Sequence, residues 1–254
     1  MRLPHGTFGW VDGQSTDQPK SKAFYSELFG WEPKDQELPD GGHYTLFHKD
    51  GKMVAGLGQA QPGMPSLWLS YVMVEDVDAA LGLVESNGGM VAMPAMDVMT
   101  AGRMAFAADN TGATIGLWQP RDHPGWELHG ESGSVVWNEL ATKGVKDALP
   151  FYEKVLGWTW RAFEGGAVDY HYSQVDGIDN AGALELPEGW DVPPHWDVYF
   201  GVDDADGAVE RAKQMGGSAM AGPIDVPGIG RMYMLIDPAG AGFYVLQAAP
   251  AEGA

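Results

Sequence analysis

The chain has no cysteine among its 254 residues. That excludes disulfide scaffolds, thiolate metal sites and cysteine nucleophiles. Positive charge is scarce: 15 Lys and Arg stand against 35 Asp and Glu, a formal charge of −20. Nucleic acids and anionic membranes are gripped by clustered Lys and Arg, so neither is an expected partner. No apolar run approaches the roughly 20 residues of a membrane-spanning helix, and "MRLPHGTFGW" lacks the apolar stretch of a secretory leader. The expectation is a cytoplasmic protein. No glycine-rich loop runs into Lys-Ser or Lys-Thr, and there is no G-x-S-x-G elbow, so phosphate cradling and elbow-type serine hydrolysis are unsupported. What remains is 44% hydrophobic, ordinary for a globular chain. Its acidic excess has two readings: a solvated surface, or a cleft that draws cationic ligands.

What is present is a repeat. "GRMAFAADNTGATIGLWQ" (Gly102 to Gln119) returns as "GRMYMLIDPAGAGFYVLQ" (Gly230 to Gln247), shifted by 128. "WVDGQSTDQPKSKAFYSELFGW" (Trp10 to Trp31) returns as "WNELATKGVKDALPFYEKVLGW" (Trp137 to Trp158), shifted by 127. "SYVMVEDVDAALGLVESNGG" and "VYFGVDDADGAVERAKQMGG" correspond in the same way. The chain therefore reads as two homologous halves, 1–126 and 127–254. Gln119 to Gly133, rich in Pro, Gly and charge, reads as the linker.

Each half divides again. "FGWVD" reads as a strand, and "TDQPKSKAFYSELFG" as a helix capped by Thr16 or Asp17 and stopped at Gly30. "HYTLFHKDG" and "MVAGLGQ" are strands around an Asp50-Gly51 hairpin signal. The next quarter repeats the order: strand "LWLSYVMV", an Asp-capped helix, then strands around "DNTG". Pro150 falls inside the expected third helix, where it removes a helical hydrogen bond or delays the start.

Four βαβββ units of about 55 residues, with "FYSELFGW", "FYEKVLGW" and "DPAGAGFYVL", resemble the vicinal oxygen chelate superfamily of glyoxalase I, bleomycin-resistance proteins and extradiol dioxygenases. The likeness covers essentially the whole chain and is nearest to tandem two-domain actinobacterial glyoxalase-like proteins. It implies an α+β fold: four modules forming two domains, each a curved mixed sheet around a cavity. It also implies metal ligands on the first and last strands of each unit. Carried over, those places fall at Trp10, Leu69 and Gly116 in the first half and at Trp137, Asp197 and Tyr244 in the second. The first set offers no ligand, and a slip of one residue, to Trp68 or Ile115, does no better.

In the second half Glu139 lies two residues past Trp137, His195 lies two before Asp197, and His171 sits on a third-unit strand. Strand alternation puts Glu139 and His195 on the inward faces of their strands. Two readings are open. Glu139, Asp197, His195 and His171 hold one divalent metal in the second domain, or they hydrogen-bond one another, the backbone and water. Trp10, Trp137, Tyr71, Tyr199 and Trp118 either line the cavities for a flat or cationic ligand or pack an ordinary core. Gly116 leaves room for a ligand or for Trp118, whereas Tyr244 fills the same place. Arg103 and Arg231 each follow an Asp by six residues, Asp97 or Asp225; they pin a loop or bind a ligand carboxylate or carbonyl. His5, His43, His48, His123 and His129 read as surface residues.

The family implies a protein that binds a small organic molecule in an aromatic cavity, as monomer or homodimer. If it is active, the expected chemistry is of lyase or isomerase type, with Glu139 as acid or base. The alternative is a metal-free sequestering protein for a cationic or flat aromatic compound.

Overall fold

The computed structural model describes residues 3–39, 41–163 and 168–250. The first module runs β1 (Phe8–Ser15), α1 (Gln18–Phe29), β2 (Glu32–Glu37), β3 (His43–Lys49) and β4 (Lys52–Gln59). The second runs β5 (Leu67–Met73), α2 (Val77–Ser86), β6 (Met90–Val98), β7 (Gly102–Ala108) and β8 (Thr114–Pro120). The third runs β9 (Val135–Thr142), α3 (Val145–Leu156), β10 (Thr159–Ala162), β11 (Tyr170–Val175) and β12 (Ile178–Glu185). The fourth runs β13 (His195–Gly201), α4 (Ala205–Gln214), β14 (Ser218–Val226), β15 (Gly230–Ile236) and β16 (Gly242–Ala248). The chain is thus α+β, with βαβββ four times over. Two mixed sheets result, ordered β2-β3-β4-β1-β5-β8-β7-β6 and β10-β11-β12-β9-β13-β16-β15-β14.

The local signals act as their chemistry requires. Asp17 caps α1, accepting from Lys20 N–H, and Gly30 closes the helix in the left-handed conformation at φ 69°. Asp76 and Asp204 cap α2 and α4 in the same way. Helix α3 has no side-chain cap of its own. Instead the Glu185 carboxylate accepts from the Gly144 and Val145 N–H groups at 2.7–3.0 Å, supplying negative charge at the helix N-terminus. The helix runs through Pro150 rather than starting after it. Asp50-Gly51 and Asp176-Gly177 turn their hairpins with φ 52° and 77° in both copies, the paired positive values of a type I′ turn.

Contact density divides the chain into two compact units. One comprises Met1–Trp10, Ser70–Gly125 and Asn138–Asp197; the other comprises Val11–Leu69, Trp126–Trp137 and Val198–Ala254. Each therefore takes modules from both halves of the sequence: the second and third in one unit, the first and fourth in the other. In the latter, Phe24, Tyr25, Leu28 and Phe29 of α1 join Phe47, Trp68, Phe200, Phe243 and the alanines of α4 in one apolar core.

The repeated motifs are the anchors of these cores. Tyr25 O–H donates to Asp237 Oδ2 at 3.1 Å, and Trp68 Nε1–H donates to the Tyr25 oxygen at 2.9 Å. In the other unit Tyr152 O–H donates to Asp109 Oδ2 at 2.8 Å, and Trp196 Nε1–H donates to the Tyr152 oxygen at 3.0 Å. The second oxygen of each aspartate ties down its own turn, accepting from Ala239 and Ala241 N–H or from Thr111, Gly112 and Ala113 N–H. Burial pushes the ionisation of both tyrosines up, and the adjacent aspartates push it further. Trp31 and Trp158 of the "LGW" motifs donate to the carbonyls of Gly133 and Gly6, both at 2.7 Å.

Candidate functional site

Strand register sorts the third module into two faces. Glu139 on β9 lies opposite Gly182 on β12, and Gly182 lies opposite Tyr172 on β11. Tyr172 in turn faces Arg161 on β10. Directly opposed residues project from the same side of a sheet, so Glu139, Tyr172 and Arg161 share one face. The neighbouring row is Leu140, Ala183 and His171. His171 therefore projects from the other side, where its Nε2 meets Asp169 at 2.9 Å and Asp169 meets Lys146 of α3 at 2.9 Å. The fourfold metal set, one of the two readings of the sequence, is not assembled among the described residues.

The Glu139 face has a built wall. Phe163, Tyr170 and Tyr172 meet with ring centroids 5.1–6.3 Å apart. The Arg161 guanidinium lies over the Tyr172 ring at 3.9 Å. It is gripped by both Asp179 oxygens, and Gln174 Nε2 also donates to Asp179 at 2.9 Å. Burial raises the Tyr172 ionisation, offset by Arg161 and reinforced by Asp179 and Glu139. Glu139 itself is only 7% exposed.

His195 and Asp197 begin β13 on one face of that strand, as alternation predicts. His195 Nε2 lies 3.3 Å from Asp197 Oδ2, and its Nδ1 lies 2.8 Å from the Pro193 carbonyl. The imidazole pKa is raised, first by the Asp197 hydrogen bond and charge, then by the Pro193 carbonyl and the Glu139 charge, against desolvation. Glu139, His195 and Asp197 thus form one electrostatic group beside an aromatic wall.

The remaining candidates have other surroundings. Tyr71 lies opposite Gly116, and a Cβ built on Gly116 would overlap the Tyr71 ring. The glycine thus makes room for the Tyr71 ring. Phe106 flanks Tyr71 at 5.4 Å. In the second half Tyr199 lies opposite Tyr244 and the rings stack at 4.3 Å and 13°. Trp10 and Trp118 are buried at 4% and 6% exposure, with His123 between them, 4.3 and 5.7 Å from their centroids. Trp137 is half-buried on β9.

Arg103 and Arg231 serve as pins. Arg103 grips Asp78 of α2 at 2.9 and 3.0 Å and Asp97 at 3.3 Å. Arg231 grips Asp206 of α4 at 3.0 Å and Asp225 at 3.1 Å. The Arg103 hydrogen bond holds Asp78 below the usual carboxylate range, and hydrogen bonds from Tyr233 and then Arg231 do the same for Asp206. Arg103 lies one residue out of phase with Met104, which faces Trp118, so its side chain leaves the sheet on the helix side. His5, His43 and His129 are exposed, but His48 is buried and His123 half-buried. The sequence reading missed Arg161, Phe163, Tyr170, Tyr172 and Asp179. The alternating "YHYSQ" was the available signal, but its phase relative to Glu139 needs the register.

A divalent metal needs several His, Asp or Glu donors converging on one point. Among the described residues no group of three or more meets that condition. With His171 on the opposite face, and Trp, Tyr or Gly at most of the family's ligand places, these residues do not fit a metal as they stand.

Comparison with known proteins agrees with the architecture. The model of the Glyoxalase/Bleomycin resistance protein/Dioxygenase superfamily matches residues 7–117 and again 134–245. The Mycobacterium tuberculosis protein named "Putative glyoxylase CFP32" is 44% identical, over 97% of both chains. The anthracycline biosynthesis protein DnrV of Streptomyces peucetius is 39% identical, over 97% of this chain and 94% of its own. Among solved structures, a Mn(II)-bound glyoxalase from Novosphingobium aromaticivorans superposes with a TM-score of 0.65 at 18% identity, covering 96% of this chain and 83% of its own. Homoprotocatechuate 2,3-dioxygenase from Brevibacterium fuscum, in complex with 3,4-dihydroxyphenylacetate, gives 0.66 at 14%, covering 100% and 83%. Two copies of the module pair, placed where the family model places them, leave one conclusion: the chain belongs to the Glyoxalase/Bleomycin resistance protein/Dioxygenase superfamily.

Proposed function

We propose that the chain binds a flat, oxygen-bearing organic molecule against the Phe163–Tyr170–Tyr172 wall and moves a proton on it with Glu139. The carrying observation is a 7% exposed carboxylate whose charge is felt by an imidazole held towards its protonated form. A buried carboxylate is poised for proton transfer from a carbon next to a carbonyl. The proton passes to Glu139, and the electron pair moves onto the carbonyl oxygen. Both His195 ring nitrogens are engaged, by Asp197 and by the Pro193 carbonyl, so the His195–Asp197 pair serves as a net-neutral polar partner beside Glu139. Return of the proton to a neighbouring carbon gives an isomerase, and loss of a leaving group gives a lyase. Two relatives are named for anthracycline biosynthesis, and anthracyclines are fused-ring, oxygen-rich compounds that would stack on such a wall. The sequence halves 1–126 and 127–254 are proposed as the two ancestral domains. The acting protein is proposed to be cytoplasmic, as monomer or homodimer.

Anthrone, a flat ketone with an acidic CH₂ group, is the first probe. Binding is read by quenching of tryptophan fluorescence, and turnover by deuterium uptake at the CH₂ in D₂O. Glu139→Gln should keep the quenching and lower the exchange. Quenching with equal exchange in both proteins would establish the sequestering alternative, which the unfitted metal donors favour. No quenching would sink the binding reading.

A further inference from the structure

The Trp10–Trp118–His123 cluster lies apart from Glu139 and has a geometry of its own. The segment after β8 is strapped back onto the β6–β7 turn. Arg121 and His123 N–H both donate to the Ala101 carbonyl, at 2.9 and 3.0 Å, and Asp122 N–H donates to Thr100 at 3.2 Å. Arg121 also pairs with Asp97 at 2.9 Å. Trp118 Nε1–H donates to the His123 carbonyl at 3.1 Å. The backbone is therefore fixed, while the half-buried His123 ring, its Nε2 shielded from solvent, lies against two buried indoles. It meets Trp10 at 4.3 Å and 85°, and Trp118 at 5.7 Å and 71°.

Edge-to-face contact lets an electropositive ring rim meet an electron-rich face, and tryptophan gives the strongest such face for a cation. The chain's charge of −20 concentrates cations around it. We propose that the Trp10/Trp118 niche is a binding site for a planar cationic nitrogen heterocycle, and that the His123 ring is its internal occupant. A ligand enters by displacing that ring while the strap's backbone hydrogen bonds stay in place. The niche is then self-occupied until a competing cation arrives.

The test uses the full chain with 1,3-dimethylimidazolium as probe and 2,5-dimethylfuran, a neutral ring of similar size, as control. His123→Ala should bind the cation at least about tenfold more tightly than the wild type, since the internal competitor is gone. The furan should show no such gain. Adding Trp10→Leu to His123→Ala should abolish the cation binding. In the wild-type protein, the His123 ring protons should resonate upfield because of the two indoles and move towards their free positions as the cation saturates. Equal affinity in wild type and His123→Ala would overturn the proposal. So would binding that survives Trp10→Leu, or His123 resonances that stay put at saturation.

Discussion

Asp12 and Glu139 occupy equivalent points of β1 and β9, in different company. Asp12 is 9% exposed and takes the Tyr44 O–H at 2.6 Å. A Cβ on Gly56, its register partner, would overlap both atoms of that hydrogen bond. Glu139 has Tyr172 on its row and feels His195. The corresponding place to Tyr172 in the first module is Leu46, since Leu46 opposes Gly56 and Gly56 opposes Asp12. The place of Asp197 is Leu69. One carboxylate is thus capped by a phenol beside apolar neighbours, and the other sits among aromatic hydroxyls and an imidazole. Duplication preserved the scaffold twice and left the inward rows free to diverge.

That contrast is breakable by experiment. The largest effect expected is on turnover: Glu139→Gln should slow anthrone exchange by about 10²–10⁴-fold, while Asp12→Asn leaves it within about twofold. A large loss from Asp12→Asn would move the chemistry to the first half. Next come the buried tyrosines. Tyr25→Phe and Tyr152→Phe each leave a buried aspartate and an indole N–H without their shared partner, at a cost of about 1–3 kcal/mol in urea unfolding. Similar losses would establish that the anchors are equivalent where the sites are not.

Gly116→Ala should also destabilise, by about 1–3 kcal/mol, through overlap with Tyr71. Tyr244→Phe keeps the stacked ring and should cost less than about 1 kcal/mol. Equal effects would dissolve the distinction between the two places.

The smallest effect is a pH dependence. His195 has a folded pKa raised above its ordinary 6.5. Its pairing with Asp197 therefore stabilises fully below about 6.5 and is lost as pH rises through the folded value. The His195 side chain is 39% exposed, so solvent screening keeps this below about 1 kcal/mol. The wild-type Tm should fall across that window, and Asp197→Asn should flatten the fall. A flat wild-type profile would separate His195 from Asp197.

The fold was legible because its signals are local and stated twice. Aspartate caps, glycine stops, Asp-Gly hairpins and the "FY…LGW" motifs each act where they stand. The site was legible only along single strands. Alternation placed His195 with Asp197, two residues apart on one strand. It could not place His171 relative to Glu139, because phase between strands is set by pairing and a one-residue difference flips the face. The same limit hid Tyr170 and Tyr172, and it hid Tyr71 as the reason for Gly116. The segment Gln119 to Gly133 reads as a linker by composition. In the structure Glu127 N–H donates to the Met53 carbonyl at 2.8 Å, and Gly133 and Ser134 both bond Gly201. Proline, glycine and charge announce irregular backbone, not looseness.

The tyrosine anchors also have a consequence for biosynthesis. Tyr152 finds its aspartate 43 residues back along the chain, already made when α3 leaves the ribosome. Tyr25 must wait for Asp237, 212 residues later. At ordinary translation rates that is roughly ten to forty seconds. Through that interval the aromatic side of α1 has no fourth module to cover it. The nascent chain therefore exposes its first helix longest, and a chaperone that meets this protein during synthesis has most reason to meet it there.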